Sequence, residues 1–247
     1  MSERFNNATD HPLGGGGGST TDRAAVSSLV RLLTERHSCR SFLPTPVPHD
    51  TIESILKIAQ RTASWCNSQP WQIIVTTEKA TVSFREALMS EVASSAERDS
   101  DLDWPREYRG VYAERRRECG FQLYESVGIA RGNRVAAAAQ ASENFRLFGA
   151  PHVAIVTTEE ALGTYGAVDC GAYVSNFMLA AHAHGVATIA QAALASRSSF
   201  VRAYFRIPAS RQVVCGISFG YGDYDKSVNH FRTSRAQLEA AVSWVDT

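Results

Sequence analysis

Three prolines at alternate positions, Pro44, Pro46 and Pro48, constrain this chain most. Each fixes φ near −65° and lacks a backbone N–H, so the stretch around them must run extended and separate whatever helices flank it. Upstream, Val26, Leu29, Val30 and Leu33 recur at helical spacing. Downstream, Asp50 with Glu53 reads as a capping-box-like start to a second helix, with Ile52, Ile55, Leu56 and Ala59 on one face and an end near Arg61. Between the first helix and the prolines lies Arg36-His37-Ser38-Cys39-Arg40. Two guanidinium groups and a hydroxyl at a helix end suit an anion, because arginine offers a planar fork of donors and stays charged at any working pH. Taken alone, the five residues read equally well as solvated cations favoured near a helix C-terminus.

The remainder of the chain limits what that anion can belong to. Residues 1–22 are polar and contain the run Gly14 to Gly18, which predicts a flexible arm ahead of one domain over 23–247. The glycine run has no lysine and follows no strand, so it is no phosphate loop, and nothing nearby has the pattern of a secretory signal. A cytoplasmic protein is expected. The formal net charge of zero argues against nucleic acid or an anionic membrane as partner and leaves a small molecule. Apolar stretches such as Asn176 to Leu194 are interrupted by His182, His184 and Gln191, so no membrane span is expected. Cys39, Cys66, Cys119, Cys170 and Cys215 are odd in number and scattered, which predicts reduced thiols. His182 and His184 diverge on a helix, so no metal site is expected.

A second polar cluster, Ser64-Trp65-Cys66-Asn67-Ser68-Gln69-Pro70-Trp71, precedes a strand over 72–77. Trp71 and Pro70 read as core and turn. Asn67 and Gln69 are either turn residues or, since an amide both donates and accepts, readers of a heterocycle edge. Residues 97–120 are dense in charge, with Trp104, Tyr108, Tyr112 and the basic cluster Arg115 to Arg117; they read either as a solvated helical excursion or as a lid. Val174, Phe177, Met178 and Ala181 form a helical stripe closed by Gly185, and Val213 to Phe219 is strand-like. The following Gly220-Tyr221-Gly222-Asp223 reads as a turn, with the wrong spacing for a dinucleotide fingerprint, so a nicotinamide cofactor would bind only transiently.

Taken together, Arg36-His37-Ser38-Cys39-Arg40, Asn67-Ser68-Gln69-Pro70-Trp71, Phe148-Gly149-Ala150-Pro151, the segments 169–184 and 185–192, and Asn229-His230-Phe231-Arg232-Thr233-Ser234-Arg235 resemble, in order, the flavin-dependent nitroreductase family over residues 24–245. The resemblance implies an α+β fold, a central mixed sheet flanked by helices, and an intertwined homodimer with FMN at its interface. It implies that Arg36, His37, Ser38, Arg232 and Arg235 hold the flavin phosphate end and that Arg40 lies beside the ring positions that turn negative on reduction. Asn67, Gln69 and Asn144 or Arg146 would meet the pyrimidine edge, Ala190 and Gln191 would bring backbone near the ring, and Ser64 and Trp65 would reach across the interface. The implied activity is ping-pong transfer from NADPH or NADH to a small aromatic acceptor, a nitroaromatic or a quinone, with no obligatory side-chain acid or base. Quinone reduction, reductive dehalogenation, flavin conversion and FMN binding without turnover are the alternatives. Two departures from the family pattern stand out: Trp65 where a small residue is common, and Ala192 where relatives often carry an acid.

Overall fold

The computed structural model describes residues 22–95 and 97–246. The expected arm lies outside this range except for Asp22, which belongs to the fold: its carboxylate accepts from the Ala24 and Ala25 amides at 3.0 Å and caps α1 (Arg23–Glu35). After the proline stretch comes α2 (His49–Ala59). Its N-cap is Pro48, and Asp50 turns back onto the adjacent Thr51 amide, so the expected capping box does not form; Asp50 lies within the first turn, where its charge favours the helix dipole.

Four strands form the sheet: β1 (Gln72–Thr77), β2 (His152–Glu159), β3 (Ala187–Gln191) and β4 (Arg211–Gly220), in the order β1-β2-β4-β3. All three pairings are antiparallel, and the mixed character expected of the sheet is confined to one isolated parallel bridge between Ser38 and Thr188. Along β2 the side chains alternate between two cores. Ala154 and Val156 face α2 and α6 (Gly163–Ala183), while Val153 and Ile155 face α3 (Glu78–Ser94) and the short helices α7 (Ala192–Ala195) and α8 (Ser198–Phe205). A bulge in the β2–β4 register, where Val156 pairs with Cys215 and Thr157 with Val213, moves Val213 to the α3 side while Cys215, Ile217 and Phe219 stay on the α6 side. Gly216 lets Leu194 of α7 lie directly on β4: a Cβ there would come within 2.2 Å of the end of the leucine side chain, which would have to move. Helix α6 ends in the Schellman arrangement its glycine predicts: Gly185 has φ +72°, its amide reaches His182 O, and the Val186 amide reaches Ala181 O.

Three helices depart from this two-sided burial. Neither α1 nor α4 (Gly110–Ser126) nor α5 (Arg134–Ser142) has a buried residue, and Val26, Leu29, Val30 and Leu33 of α1 are each more than half exposed. The excursion before α4 is tethered. Asp101 pairs with Arg202 and accepts from the Val213 amide, and Asp99 accepts from the Ser199 amide. Among the described residues no helix is long and apolar enough to cross a membrane.

His152 joins the proline stretch to the sheet. It is buried; its Nε2 accepts from the Val47 amide at 2.9 Å, which leaves Nδ1–H to donate to Thr76 O at 3.3 Å. Protonating Nε2 would break the first bond, and burial already holds the imidazole below its ordinary pKa. A lowered histidine binds fewer protons folded than unfolded, so its contribution is intact above the unfolded value near 6.5 and is lost as pH falls below it. The urea midpoint should therefore drop between pH 7 and 5, and His152→Gln should flatten that slope; an unchanged slope would put the dependence on other groups.

Candidate functional site

The prolines and α1 together deliver the basic stretch into a cleft. Arg36 caps α1 in an extended conformation, with its amide on Leu32 O, and the chain then runs alongside β3. The Cys39 amide donates to Thr188 O at 2.9 Å, and the Leu43 amide to Tyr221 O at 2.8 Å. The second contact corrects the sequence reading of Gly220 to Asp223. These residues continue β4 in extended form and pair with residues 41–43 through the Phe42–Gly222 bridge, and the turn comes at residues 224–225.

Asn229, to which the sequence reading gave no role, fixes both halves of the site. Wholly buried, it accepts from the Arg40 amide at 2.7 Å and donates to Ser41 O at 2.9 Å and Asp223 O at 2.8 Å. It thereby fastens the segment carrying Arg40 to the one carrying Arg232, whose guanidinium donates to Asn229 O at 2.8 Å. Replacing Asn229 by leucine leaves the buried Arg40 amide without its partner and takes one donor each from Ser41 O and Asp223 O. Loss of about 2–4 kcal/mol of stability is expected, read as a lower denaturation midpoint; an unaltered midpoint would show that water replaces the side chain.

The first cleft has a volume of about 710 Å3 and is lined by Arg36, His37, Ser38, Arg40, Arg232 and Arg235, with Thr34, Cys119, Met178 and Phe231 among the remainder. Six of the sequence-derived candidates thus converge from opposite ends of the chain. Among the described residues, none of these four arginines makes a salt bridge. Three of them instead donate to neutral acceptors: Arg40 to Ser38 O at 3.2 Å, Arg232 to Asn229 O at 2.8 Å, and Arg235 to Ser234 O at 2.8 Å and to the Thr233 hydroxyl at 2.9 Å. The crowding is felt as pKa shifts. Burial, then the charge of Arg235, pushes Arg36 below the ordinary guanidinium value, and burial lowers Arg40. His37 is lowered first by burial and further by Arg232, and its Nε2 is buried without a hydrogen-bond partner. A set of cations that repel one another is matched to an anionic group of several oxygens.

A second opening of about 280 Å3 adjoins the first through Ser38 and Arg40 and is lined by Asn144, Ala190 and Gln191, with Tyr124, Phe148 and Ala192. Gln191 is buried and already engaged: its Nε2 donates to Asn144 O at 2.8 Å, and its Oε1 accepts from Ser218 Oγ. Its side chain therefore sets the Asn144 turn, and what it offers an occupant is backbone. Residue 192 lines this opening as alanine, so no carboxylate enters there. Arg146 points away and pairs with Glu143 at 3.4 Å.

Ser64, Trp65, Asn67 and Gln69 line neither opening. Their loop holds Cys66, Asn67 and Gln69 at positive φ, a conformation uncommon outside glycine that marks stored strain. A chain of amides sustains it: Trp71 Nε1 donates to Gln60, Gln60 to Gln69 Oε1 at 3.0 Å, and Gln69 to Asn67 Oδ1 at 3.2 Å. Arg211 braces the loop from below by donating to Pro70 O at 2.8 Å. Trp65 is 56% exposed and meets the Tyr165 ring edge-on at 4.3 Å. Among the described residues no group of three His, Cys, Asp or Glu side chains is placed to hold a metal.

A helix-flanked antiparallel sheet with an arginine-lined cleft and an adjoining flat opening is the framework of a protein that binds an anionic, ring-bearing group. The chain belongs to the nitroreductase family, whose sequence profile matches residues 33–221. It is 37% identical to nitroreductase NfnB of Mycolicibacterium smegmatis over 90% of this chain and 93% of that protein. It is 30% identical to a 4-nitrobenzoate reductase of Pseudomonas putida over 84% of this chain and 91% of the other. In structure it resembles the FMN-dependent nitroreductase NfnB of Mycobacterium smegmatis, crystallised in complex with NADPH, with a TM-score of 0.85, 33% identity and coverage of 90% of this chain and 99% of that one.

Proposed function

We propose that this protein is a homodimeric FMN enzyme that passes reducing equivalents from NADPH to a nitroaromatic acceptor. The observation that carries the reading is the convergence of Arg36, Arg40, Arg232 and Arg235 on one cleft without a carboxylate partner. The donor set fits FMN: Arg36, Ser38, Arg232 and Arg235 would hold its phosphate, while Arg40, Asn144 and the Ala190–Gln191 backbone line the adjoining space for the ring. When bound, FMN supplies the two-electron chemistry, accepting from the nicotinamide and giving to the acceptor in alternate half-reactions. The chain's contribution is positional and electrostatic. Arg40, half buried and stacked 5.2 Å from the Phe231 ring, supplies fixed positive charge where the ring gains negative charge. Two features favour a homodimer: the exposed apolar stripe of α1, and the exposure of Trp65 and Asn67 outside this chain's own cleft, which suits them to a partner's.

The test is direct. Purified protein should carry or take up about one FMN per chain. Its flavin absorbance should bleach on anaerobic addition of NADPH and return on addition of 4-nitrobenzoate. A flavin-free protein that takes up no FMN overturns the reading, and a flavin that NADPH does not bleach reduces it to FMN binding without turnover.

A further inference from the structure

The basic cluster on α4 has no part in the site so far, yet one of its members borders it. A third cleft, of about 430 Å3, lies between α4 and residues 233–236 and is lined by Arg115, Glu118, Cys119, Gln122, Thr233, Ser234, Arg235 and Ala236. It shares Cys119, Thr233 and Arg235 with the arginine-lined cleft, which in turn shares Ser38 and Arg40 with the opening beside Asn144. The three cavities therefore form a series: a flat opening, a phosphate-sized cluster of cations, and a second cationic cleft beyond it. Arg36, Ser38 and Arg232 line the middle cavity but not the third, whose own cation is Arg115. Arg115 makes no salt bridge among the described residues. The one carboxylate in its lining, Glu118, accepts from Ser234 Oγ at 3.1 Å and Gln122 Nε2 at 3.4 Å, so it is engaged by neutral donors and leaves the Arg115 guanidinium without a carboxylate partner.

We infer that this cleft binds the adenosine end of the reductant, with Arg115 taking the 2′-phosphate that distinguishes NADPH from NADH. The inference rests on the proposed function for the identity of the reductant. A phosphate monoester dianion suits the Arg115 guanidinium by charge and by bidentate geometry, whereas the 2′-hydroxyl of NADH brings no charge to satisfy it. Arg115 is exposed on a helix with no buried residue, so changing it leaves the fold intact.

Calorimetry on the FMN-loaded protein with 2′,5′-adenosine diphosphate, compared with adenosine 5′-monophosphate, tests this without turnover. Wild type should prefer the 2′-phosphate compound, and Arg115→Ala should weaken that compound by about 10- to 100-fold, the loss expected for one charged hydrogen-bonded contact. The same variant should lose most of its kcat/KM preference for NADPH over NADH while its FMN dissociation constant stays within about twofold. Equal binding of the two adenosine compounds by wild type, or an unaltered preference in Arg115→Ala, overturns the inference. Loss of FMN from Arg115→Ala also overturns it by assigning the cleft to the flavin phosphate. A wild type that binds 2′,5′-adenosine diphosphate through Arg115 but reduces no nitroaromatic upholds this site and overturns the proposed acceptor.

Discussion

Arg235→Ala is expected to weaken FMN binding by about 10- to 100-fold while moving the flavin midpoint potential little, and Arg40→Ala is expected to do the reverse. Both residues line the same cleft, but they occupy different parts of it. Arg235 is shared with the third cleft and Arg40 with the opening beside Asn144. A phosphate is negative in both oxidation states of the cofactor, so a cation bound to it contributes to affinity in both. A cation beside the ring interacts mainly with the reduced form, and losing about 1–3 kcal/mol of that difference lowers a two-electron potential by roughly 20–65 mV. Spectroelectrochemistry with FMN dissociation constants separates the two. Equal potential shifts in both variants would mean that the arginines have been assigned to the wrong ends of the cofactor.

The second large effect is expected from Leu29→Glu with Leu33→Glu. Both side chains are more than half exposed on α1, so the substitutions cost the isolated chain little. In a dimer that covers this stripe, each buried leucine contributes about 1.5–3 kcal/mol, and a carboxylate in its place must be desolvated as well. Sedimentation should therefore find monomer where the parent chain is dimeric, with folded circular dichroism; FMN should be lost as well, both because Ser64 to Gln69 would no longer be contributed to a neighbouring cleft and because Leu33 lines the arginine-lined cleft, where a carboxylate repels the phosphate. A variant that remains dimeric would place the interface elsewhere, on α4 or α5.

What the sequence makes legible here is what short-range physics determines. The prolines, the spacing of Val26 to Leu33 and the Gly185 stop locate the helices correctly, and the basic stretch at the end of α1 lines the cleft as expected. Long-range pairings are what escape. Gly220 to Asp223 has the composition of a turn and is extended because residues 41–43, far away in sequence, supply its hydrogen bonds. Residues 97–120 read either as a solvated helical excursion or as a lid; 110–120 are helical with no buried residue, and what composition does not show is that Asp99 and Asp101 bind partners about a hundred positions on. Asn229 looks like any loop asparagine until the Arg40 amide is placed against it, and Gln191 reads as a ligand residue although its amide is committed to Asn144 and Ser218. The capping box at Asp50 fails because Pro48, two residues earlier, is the N-cap and Asp50 already lies inside the first turn.

The anion cleft is split between residues 36–40 and 232–235, joined by Asn229. At a synthesis rate of about 5–20 residues per second, its second half leaves the ribosome some 10–40 s after the first. Until then a growing chain has Arg36 and Arg40 but neither Arg232 nor Arg235, nor the side chain that aligns them. On the proposed assignment of the cleft, cofactor loading is a late event that reports on completion: chains cut short before Asn229 are expected to stay colourless, so that yellow colour in a preparation would count finished molecules.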